Sequence, residues 1–271
     1  MPYKKIILRD NLTDIMNFRK PKGTKDILPK DIHKWHYVES VIREVTALFN
    51  FSEVRTPTFE YTELFNRGVG SETDIVGKEM YTFLDKSGDS ITLRPEGTAP
   101  VMRAFLENSM LSDSPLHKLY YFTNMFRYER PQAGRYREHT QFGGEILGSD
   151  SFYTDVELIL LAKEVYNRCG ISNFKVKINS IGKPDERSAY IAKLKDYLKD
   201  NLNDLSEDSK RRFETNALRI LDSKNPGDRS ITDSAPKILD HLGAESKARF
   251  DKVINERTKL SVNIEVYFRL V

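Results

Sequence analysis

Residues 126–145 read FRYERPQAGRYREHTQFGGE, and this stretch sets four arginines and three glutamates between two β-prone arms. A tight hairpin needs only a two-residue turn, so a long arginine-rich connection points to an anion as its cause. Side chains two apart along a strand share a face. On the arm LYYFTNMFRYE this places Arg127 and Glu129 on one side and Phe122 and Phe126 on the other. On the returning arm His139, Gln141, Gly143 and Glu145 share a face opposite Phe142 and Ile146. If both apolar faces meet the core, Arg127, Glu129, His139, Gln141 and Glu145 gather on one surface. A guanidinium fork matches phosphate, a carboxylate holds an ammonium or an N–H, and glutamine offers both donor and acceptor. Such a face suits a zwitterionic or nucleotide ligand, and it would also serve as a solvated sheet face with incidental ion pairs. In the connection, Arg130, Arg135 and Arg137 with Gln132 and Tyr136 combine charge, stacking surface and base-edge hydrogen bonding, a mix suited to an acceptor end of RNA. Glu96 and Thr98, in TLRPEGTAP (92–100), stand at a predicted helix start, where a carboxylate or a threonine can also serve simply as a cap.

The elements that must hold these residues are legible from periodicity. Trp35, Val38, Ile42, Val45 and Phe49 follow helical spacing, with Asp31 as N-cap after Pro29 and an end near Asn50. FSEVRTPTFE reads as a strand stopped by Pro57. Residues 80–84 and 90–94 form a hairpin around KSGD, and Thr98 caps a helix from Ala99 to Glu107. Residues 153–169 are helical and KVKIN (175–179) is a strand. Beyond Pro184 mixed charges and helix formers dominate, which predicts a small helical domain over 185–260. The 271 residues, 39% of them hydrophobic, can build one sizeable core and a smaller second domain. No run reaches the roughly 18 to 20 apolar residues of a membrane span, and no apolar block marks a secretory leader. The single cysteine, Cys169, leaves no internal disulfide and fits a reducing cytosol. A net charge of +3 is too small to argue for nucleic acid, so any such surface is local.

The segment 126–145 resembles motif 2 of class II aminoacyl-tRNA synthetases, specifically of the histidyl-tRNA synthetases, whose pattern is close to FRxERPQxGRxRxxxQxGxE. KGTKDILP (22–29), the helix and strand ending at Pro57, MYTF with TLRPEGTAP, and LRILDSKNP with APKILD (218–226, 235–240) agree in the same order, over nearly all of 20–271. The resemblance implies an α+β fold: a class II antiparallel sheet flanked by helices, with a small helical insertion domain. It implies an extension at 1–15, a catalytic core at 16–184 with motifs 1 and 2, the insertion at 185–260, and a return to the core at 261–271 that stops before motif 3. The activity implied is ATP-dependent activation of histidine and transfer to tRNA(His), by a cytoplasmic homodimer that joins through the motif 1-like Trp35–Pro57 segment and has no membrane contact.

Residue by residue, the resemblance makes Arg127 the catalytic residue, holding the α-phosphate of ATP and the histidine carboxylate. Glu129 faces adenine, Arg135 meets the γ-phosphate, and His139 stands where relatives stack phenylalanine on adenine. Glu96 and Thr98 take the amino group of histidine with help from Gln141, and Glu145 lies near the imidazole. Arg130 and Gln132 touch the tRNA acceptor end. ATP brings Mg2+; no structural metal is expected, because Ser209 and Ser223 stand in the region where some relatives carry cysteines. Family members continue past a segment like YFRLV into RGLDYY, a glycine-rich motif 3 and an anticodon-binding domain, so this chain alone is expected to be inactive. A second class of function is a silent histidine-sensing paralogue resembling the regulatory subunit of ATP phosphoribosyltransferase. Retention of Arg127, Glu129, Arg135 and the whole PQAGRYR loop speaks against it, since a sensor has no need of a tRNA-contacting loop.

Overall fold

The computed structural model describes residues 19–68, 79–130, 132, 134–259 and 262–270, so the extension expected at 1–15 lies outside the described residues. Helix α1 (Pro29–Leu48) starts two residues before the expected cap, with Pro29 in its first turn. Proline's fixed φ suits that position, and its missing N–H would have had no partner there. Asp31 therefore lies inside the first turn, paired with Lys34 at 3.0 Å, and caps nothing. Val41, Ile42 and Val45 of α1 are buried with Phe51, Tyr120 and Leu161, and Phe122, Phe142, Ile146 and Cys169 pack at the margin.

Pro57 divides the next segment into β1 (Ser52–Glu53) and β2 (Phe59–Tyr61), and α2 (Thr62–Gly68) follows. Strands β3 (Tyr81–Leu84) and β4 (Ser90–Leu93) form the expected hairpin. The Asp85 carboxylate closes its turn by accepting from the backbone N–H of Ser87 at 2.8 Å and of Asp89 at 2.9 Å. β2 joins it to give the sheet order β2-β4-β3. After α3 (Thr98–Glu107) come the long strands β5 (His117–Phe126) and β6 (Glu138–Leu147), paired antiparallel, with β1 added parallel to β5.

Arg94 ties the two sheets. Its carbonyl accepts from Phe126 N at 2.9 Å, and its guanidinium donates to the carbonyls of Asn124 (2.8 Å), Thr56 (2.7 Å) and Pro57 (3.0 Å) and to the Thr123 hydroxyl. The side chain is buried, so those carbonyls replace the water it gives up. Helix α4 (Phe152–Arg168), capped by the Ser151 hydroxyl accepting from Tyr153 N at 3.3 Å, packs beside α1 on the Tyr120–Phe122–Phe142 face. The opposite face of the hairpin is divided: Leu119, Tyr121 and Met125 of β5 are buried against Val101 of α3, while His139, Gln141 and Glu145 of β6 stay half-buried.

β7 (Val176–Ile178) pairs in parallel with β8 (Ile264–Val266). Between them run α5 (Pro184–Lys199), α6 (Glu207–Thr215), α7 (Leu218–Leu221), α8 (Pro226–Thr232) and α9 (Ala244–Lys259). Tyr190, Leu194, Leu198, Phe213, Ile220 and Ile238 form a separate core for this helical segment. Inside it the buried Asp228 carboxylate accepts from Ser206 N (2.7 Å) and from the hydroxyls of Ser206 (2.7 Å), Ser209 (2.6 Å) and Ser223 (2.6 Å). No helix among the described residues is long and apolar enough to cross a membrane.

Candidate active site

The register of β5 and β6 sets Leu119 opposite Glu145, Tyr121 opposite Gly143, Thr123 opposite Gln141 and Met125 opposite His139. His139, Gln141 and Glu145 thus line one face, as period-2 reasoning requires. β5 stops at Phe126, short of the Glu129 that the sequence suggested. The ladder gains one more bond, from Arg127 N to Arg137 O at 2.9 Å, and Tyr128 N then turns away to Glu79 O at 2.6 Å.

At one end of this face, two acidic residues and a threonine meet. Glu96 accepts from Thr98 N at 2.7 Å and Ala99 N at 3.0 Å, so the carboxylate two residues upstream caps α3. Thr98 was the expected cap; its hydroxyl instead crosses to β6 and donates to Glu145 Oε1 at 2.7 Å. A threonine with a half-buried carboxylate within reach satisfies a stronger acceptor there than backbone capping would offer it. Burial raises the pKa of Glu145, the Thr98 hydrogen bond pulls it back, and nearby Glu96 pushes it up again. Tyr121 is buried beneath these groups, where desolvation and then the Glu145 and Glu96 charges push its pKa up to about 12. Gln141 Nε2 donates to the Tyr121 hydroxyl at 3.2 Å. A cavity of about 660 Å³ opens beside them, lined by Leu64, Arg67, Glu96, Thr98, Met102 and Arg103 among others. A larger one of about 780 Å³, between α4, α9 and the residues after β7, includes none of the hairpin residues.

The other end is cationic. Arg127 Nε donates to Pro95 O at 2.7 Å, which pins the strand-end arginine to the segment carrying Glu96. Its guanidinium stands 4.0 Å from Glu129, and Glu129 also takes Arg135 at 3.1 Å. His139 lies beside them, its pKa lowered by burial and then by the Arg127 charge, with Glu129 opposing; the ring is therefore held towards its neutral, stacking-competent form. Arg130 and Gln132 are exposed on the connection, where Arg135 N donates back to Gln132 O at 2.9 Å. Arg137 is spent differently: its guanidinium stacks over Tyr128 at 3.7 Å, and its backbone N–H donates to Gly23 O at 2.7 Å. Gly23 has φ +86°, and a Cβ there would meet the Arg137 side chain at 2.7 Å, so KGTKDILP clamps the base of the connection.

Each candidate histidine-, ATP- and RNA-contacting residue lies on or beside this one hairpin, in an acidic, hydrogen-bonding end and a cationic end that Arg127 joins through Pro95. Pattern reasoning missed Tyr121, the Pro95 carbonyl, Arg94 and Gly23. Only the glycines of RPEGT and FGGE hinted at Tyr121, by marking places where something approaches closely.

A profile of the family described as Histidyl-tRNA synthetase matches residues 23–254. The histidine–tRNA ligase of Geobacillus sp. is 50% identical over 258 residues, covering 94% of this chain and 61% of that protein. The histidine–tRNA ligase of Chloroherpeton thalassium is 53% identical over 239 residues, covering 88% of this chain and 56% of that protein. The crystal structure of apo S. aureus histidyl-tRNA synthetase superposes with a TM-score of 0.72 at 35% identity, over 94% of this chain and 58% of that one. A Bacillus halodurans protein described as an ATP phosphoribosyltransferase regulatory subunit/histidyl-tRNA synthetase shares the fold, with a TM-score of 0.65 at 23% identity over 94% of this chain and 69% of that one. The chain thus spans about three fifths of the length of the curated relatives it matches. With profile, identity and fold in agreement over most of its length, the chain belongs to the histidyl-tRNA synthetase family, with the α+β fold of a class II aminoacyl-tRNA synthetase.

Proposed function

We propose that the hairpin face is the histidine- and ATP-binding half of a histidine–tRNA ligase, which joins histidine to ATP and passes the adenylate to tRNA(His). The observation that carries this reading is the Arg127–Pro95 hydrogen bond at 2.7 Å, which sets a guanidinium between the Glu96–Thr98–Glu145 cluster and the Glu129–Arg135 pair. The amino-acid carboxylate is itself the nucleophile in this reaction, so the protein supplies position and charge. Arg127 would steady the charge growing at the α-phosphate while pyrophosphate leaves. Arg135 would meet the γ-phosphate, and Glu129 and His139 the adenine. Glu96, Thr98 and Gln141 would take the ammonium group, and Glu145 the imidazole N–H. Arg130 and Gln132, exposed on the connection, would reach the RNA acceptor end.

Mg2+ binds through one or two carboxylates plus phosphate oxygens and water. Among the described residues no group of three or more His, Cys, Asp or Glu side chains could hold a metal ion; in this reading the ion would come with ATP, on its phosphate oxygens. With the ion bound, it would offset phosphate charge. We extend the proposal to a cytoplasmic homodimer built on the motif 1-like segment; beside that segment Phe59 and Tyr61 expose aromatic surface on one sheet face, as a self-association surface would. Residues 185–260 are read as an insertion domain on the strength of their separate core.

The test is calorimetric titration of Glu145→Ala with histidine and with ATP. Histidine affinity should fall far more than ATP affinity, and equal losses would contradict the assignment. The histidine-sensor reading is separated by RNA: binding of tRNA(His) that falls on replacement of Arg130 belongs to the ligase.

A further inference from the structure

Tyr128 and Arg137 stand at the two ends of the connection between β5 and β6, and neither face pattern nor family resemblance gave Tyr128 a task. The Arg137 guanidinium lies 3.7 Å over the Tyr128 ring, and Tyr81 of β3 meets the same ring at 5.4 Å and close to perpendicular. The backbone fastens the same two places. Tyr128 N donates to Glu79 O at 2.6 Å, Arg137 N to Gly23 O at 2.7 Å, and Arg137 Nε to Glu129 O at 3.3 Å. Segments far apart in the chain, at Gly23 and at 79–81, thus converge on one stacked pair at the base of the hairpin connection.

Beyond that base the connection is held more weakly. Gln132 and Arg135 exchange backbone hydrogen bonds at 2.9 and 3.3 Å, and Arg135 pairs with Glu129 at 3.1 Å. The Arg135 side chain is 54% exposed, and exposed ion pairs contribute little. Order in the part that carries Arg130 and Gln132 therefore depends on the base. Tyr128 itself is 52% exposed, so its ring adds little to the core and the effect of the stack falls on the connection. A loop already held in its bound shape binds more tightly than one that must be ordered, because the ordering cost has been removed.

We propose that Tyr128 is a positioning residue for RNA: through its stack with Arg137 it holds the connection in the shape that presents Arg130 and Gln132 to the acceptor end. Arg137 serves this frame and is not a phosphate contact. The inference rests on the RNA reading above, and it adds that affinity for RNA is set in part by a pair that does not touch it.

Tyr128→Phe keeps the ring, Tyr128→Leu removes it, and Arg137→Met removes the guanidinium. Binding of the whole chain to an RNA minihelix of the tRNA(His) acceptor stem is followed by anisotropy at several salt concentrations, with far-UV circular dichroism checking that each variant folds. Tyr128→Leu and Arg137→Met should each weaken binding about fivefold, the scale of one cation–π contact, with the salt slope unchanged. Tyr128→Phe should stay within about twofold of the unaltered protein, and the double variant Tyr128→Leu/Arg137→Met should be within about twofold of either single one. A slope lowered by about one in Arg137→Met would make Arg137 a phosphate contact and overturn the frame. So would a Tyr128→Phe as weak as Tyr128→Leu, or losses that add in the double variant. Hydrogen exchange of the free protein, resolved by NMR, reads the frame without RNA: the Gln132 and Arg135 amides should exchange about fivefold faster in Tyr128→Leu and at the original rate in Tyr128→Phe. Unaltered exchange in Tyr128→Leu, with RNA still bound by the unaltered protein, would overturn the positioning role alone. No binding of the minihelix by the unaltered protein would overturn the RNA reading and the positioning role with it.

Discussion

Replacing Thr98 by valine keeps the shape of the side chain and removes the feature that matters to Glu145, a hydroxyl donating at 2.7 Å to a half-buried carboxylate. Hydrogen bonds to charged groups are worth about 1.5 to 3 kcal/mol, so the ionised form of Glu145 should be less stable by about 2 kcal/mol in the variant. A ligand that needs the carboxylate should therefore be held less tightly wherever that loss leaves Glu145 protonated. The sign with pH follows from the same groups. Burial already raises the Glu145 pKa above that of an ordinary glutamate, and the hydrogen bond that opposes the rise is the one deleted. As pH falls, histidine affinity should therefore collapse at a higher pH in Thr98→Val than in the unaltered protein. Histidine titrates in the same region, so the two proteins are compared at each pH, where the ligand's own protonation is common to both. The assay is isothermal titration of histidine between about pH 4.5 and 8, with ATP as the control ligand. Superimposable profiles for Thr98→Val and the unaltered protein would refute the coupling of Thr98 to Glu145.

The same raised pKa has a stability consequence: the folded protein binds the Glu145 proton more tightly than the unfolded chain, so this residue's contribution is fully present below the unfolded pKa and is lost as pH rises through the folded one. Glu145→Gln should accordingly be at least as stable as the unaltered protein near neutrality in urea unfolding, and a large loss there would count against it. Asp228 has the opposite sign; desolvation raises its pKa, the bonds from Ser206, Ser209 and Ser223 outweigh that, and stability is lost as pH falls through its lowered value. Asp228→Ala should cost about 2 to 4 kcal/mol in urea unfolding at neutral pH, leaving buried hydroxyls unpaired, and should flatten the acid limb. Arg135→Ala should weaken ATP several-fold and leave histidine within about twofold, since its partner Glu129 lies at the cationic end. Arg130→Ala should lower affinity for an acceptor-stem RNA and reduce the salt dependence by about one unit of slope, as measured by anisotropy at several salt concentrations.

The proposed ligand face was legible because Phe142 and Ile146 alternate strictly with Gln141, Gly143 and Glu145, and a buried face forbids a one-residue slip. The partner strand hides its message. LYYFTNMF is apolar on both faces, so Tyr121 reads as one more core aromatic, and nothing within its own segment names Gly97, Thr98 or Gln141 as neighbours. Cap chemistry failed for the same reason at Thr98. The local sequence RPEGT permits either Glu96 or Thr98 to cap the helix, and the choice is made by Glu145, far along the chain. At Asp31 the error was local: Pro29 already opens the helix, which carries the aspartate into the first turn. Arg94 went unremarked in the sequence, because its environment of Thr56, Pro57 and Asn124 carbonyls exists only once two sheets have met.

On the proposed reading, the order of groups along the hairpin explains why the join between two ligands would fall at Arg127. From Glu145 to His139 the strand advances six residues, roughly 20 Å at the rise of an extended chain, which is room for two small ligands end to end. Glu145, Thr98 and Gln141 occupy one half with acceptors and aligned hydroxyls, which suit a cationic amino group and an imidazole. His139, Glu129 and Arg135 occupy the other half, which suits a base and phosphates. Opposed ligand charges of carboxylate and phosphate must approach each other where the halves meet, and two anions repel unless a fixed cation lies between them. Arg127 is fixed there from outside the hairpin, by the carbonyl of Pro95, and Pro95 precedes the carboxylate that caps α3. A shift of α3 would therefore carry the guanidinium and the amino-acid end together, keeping the distance between the reacting groups set while the helix moves.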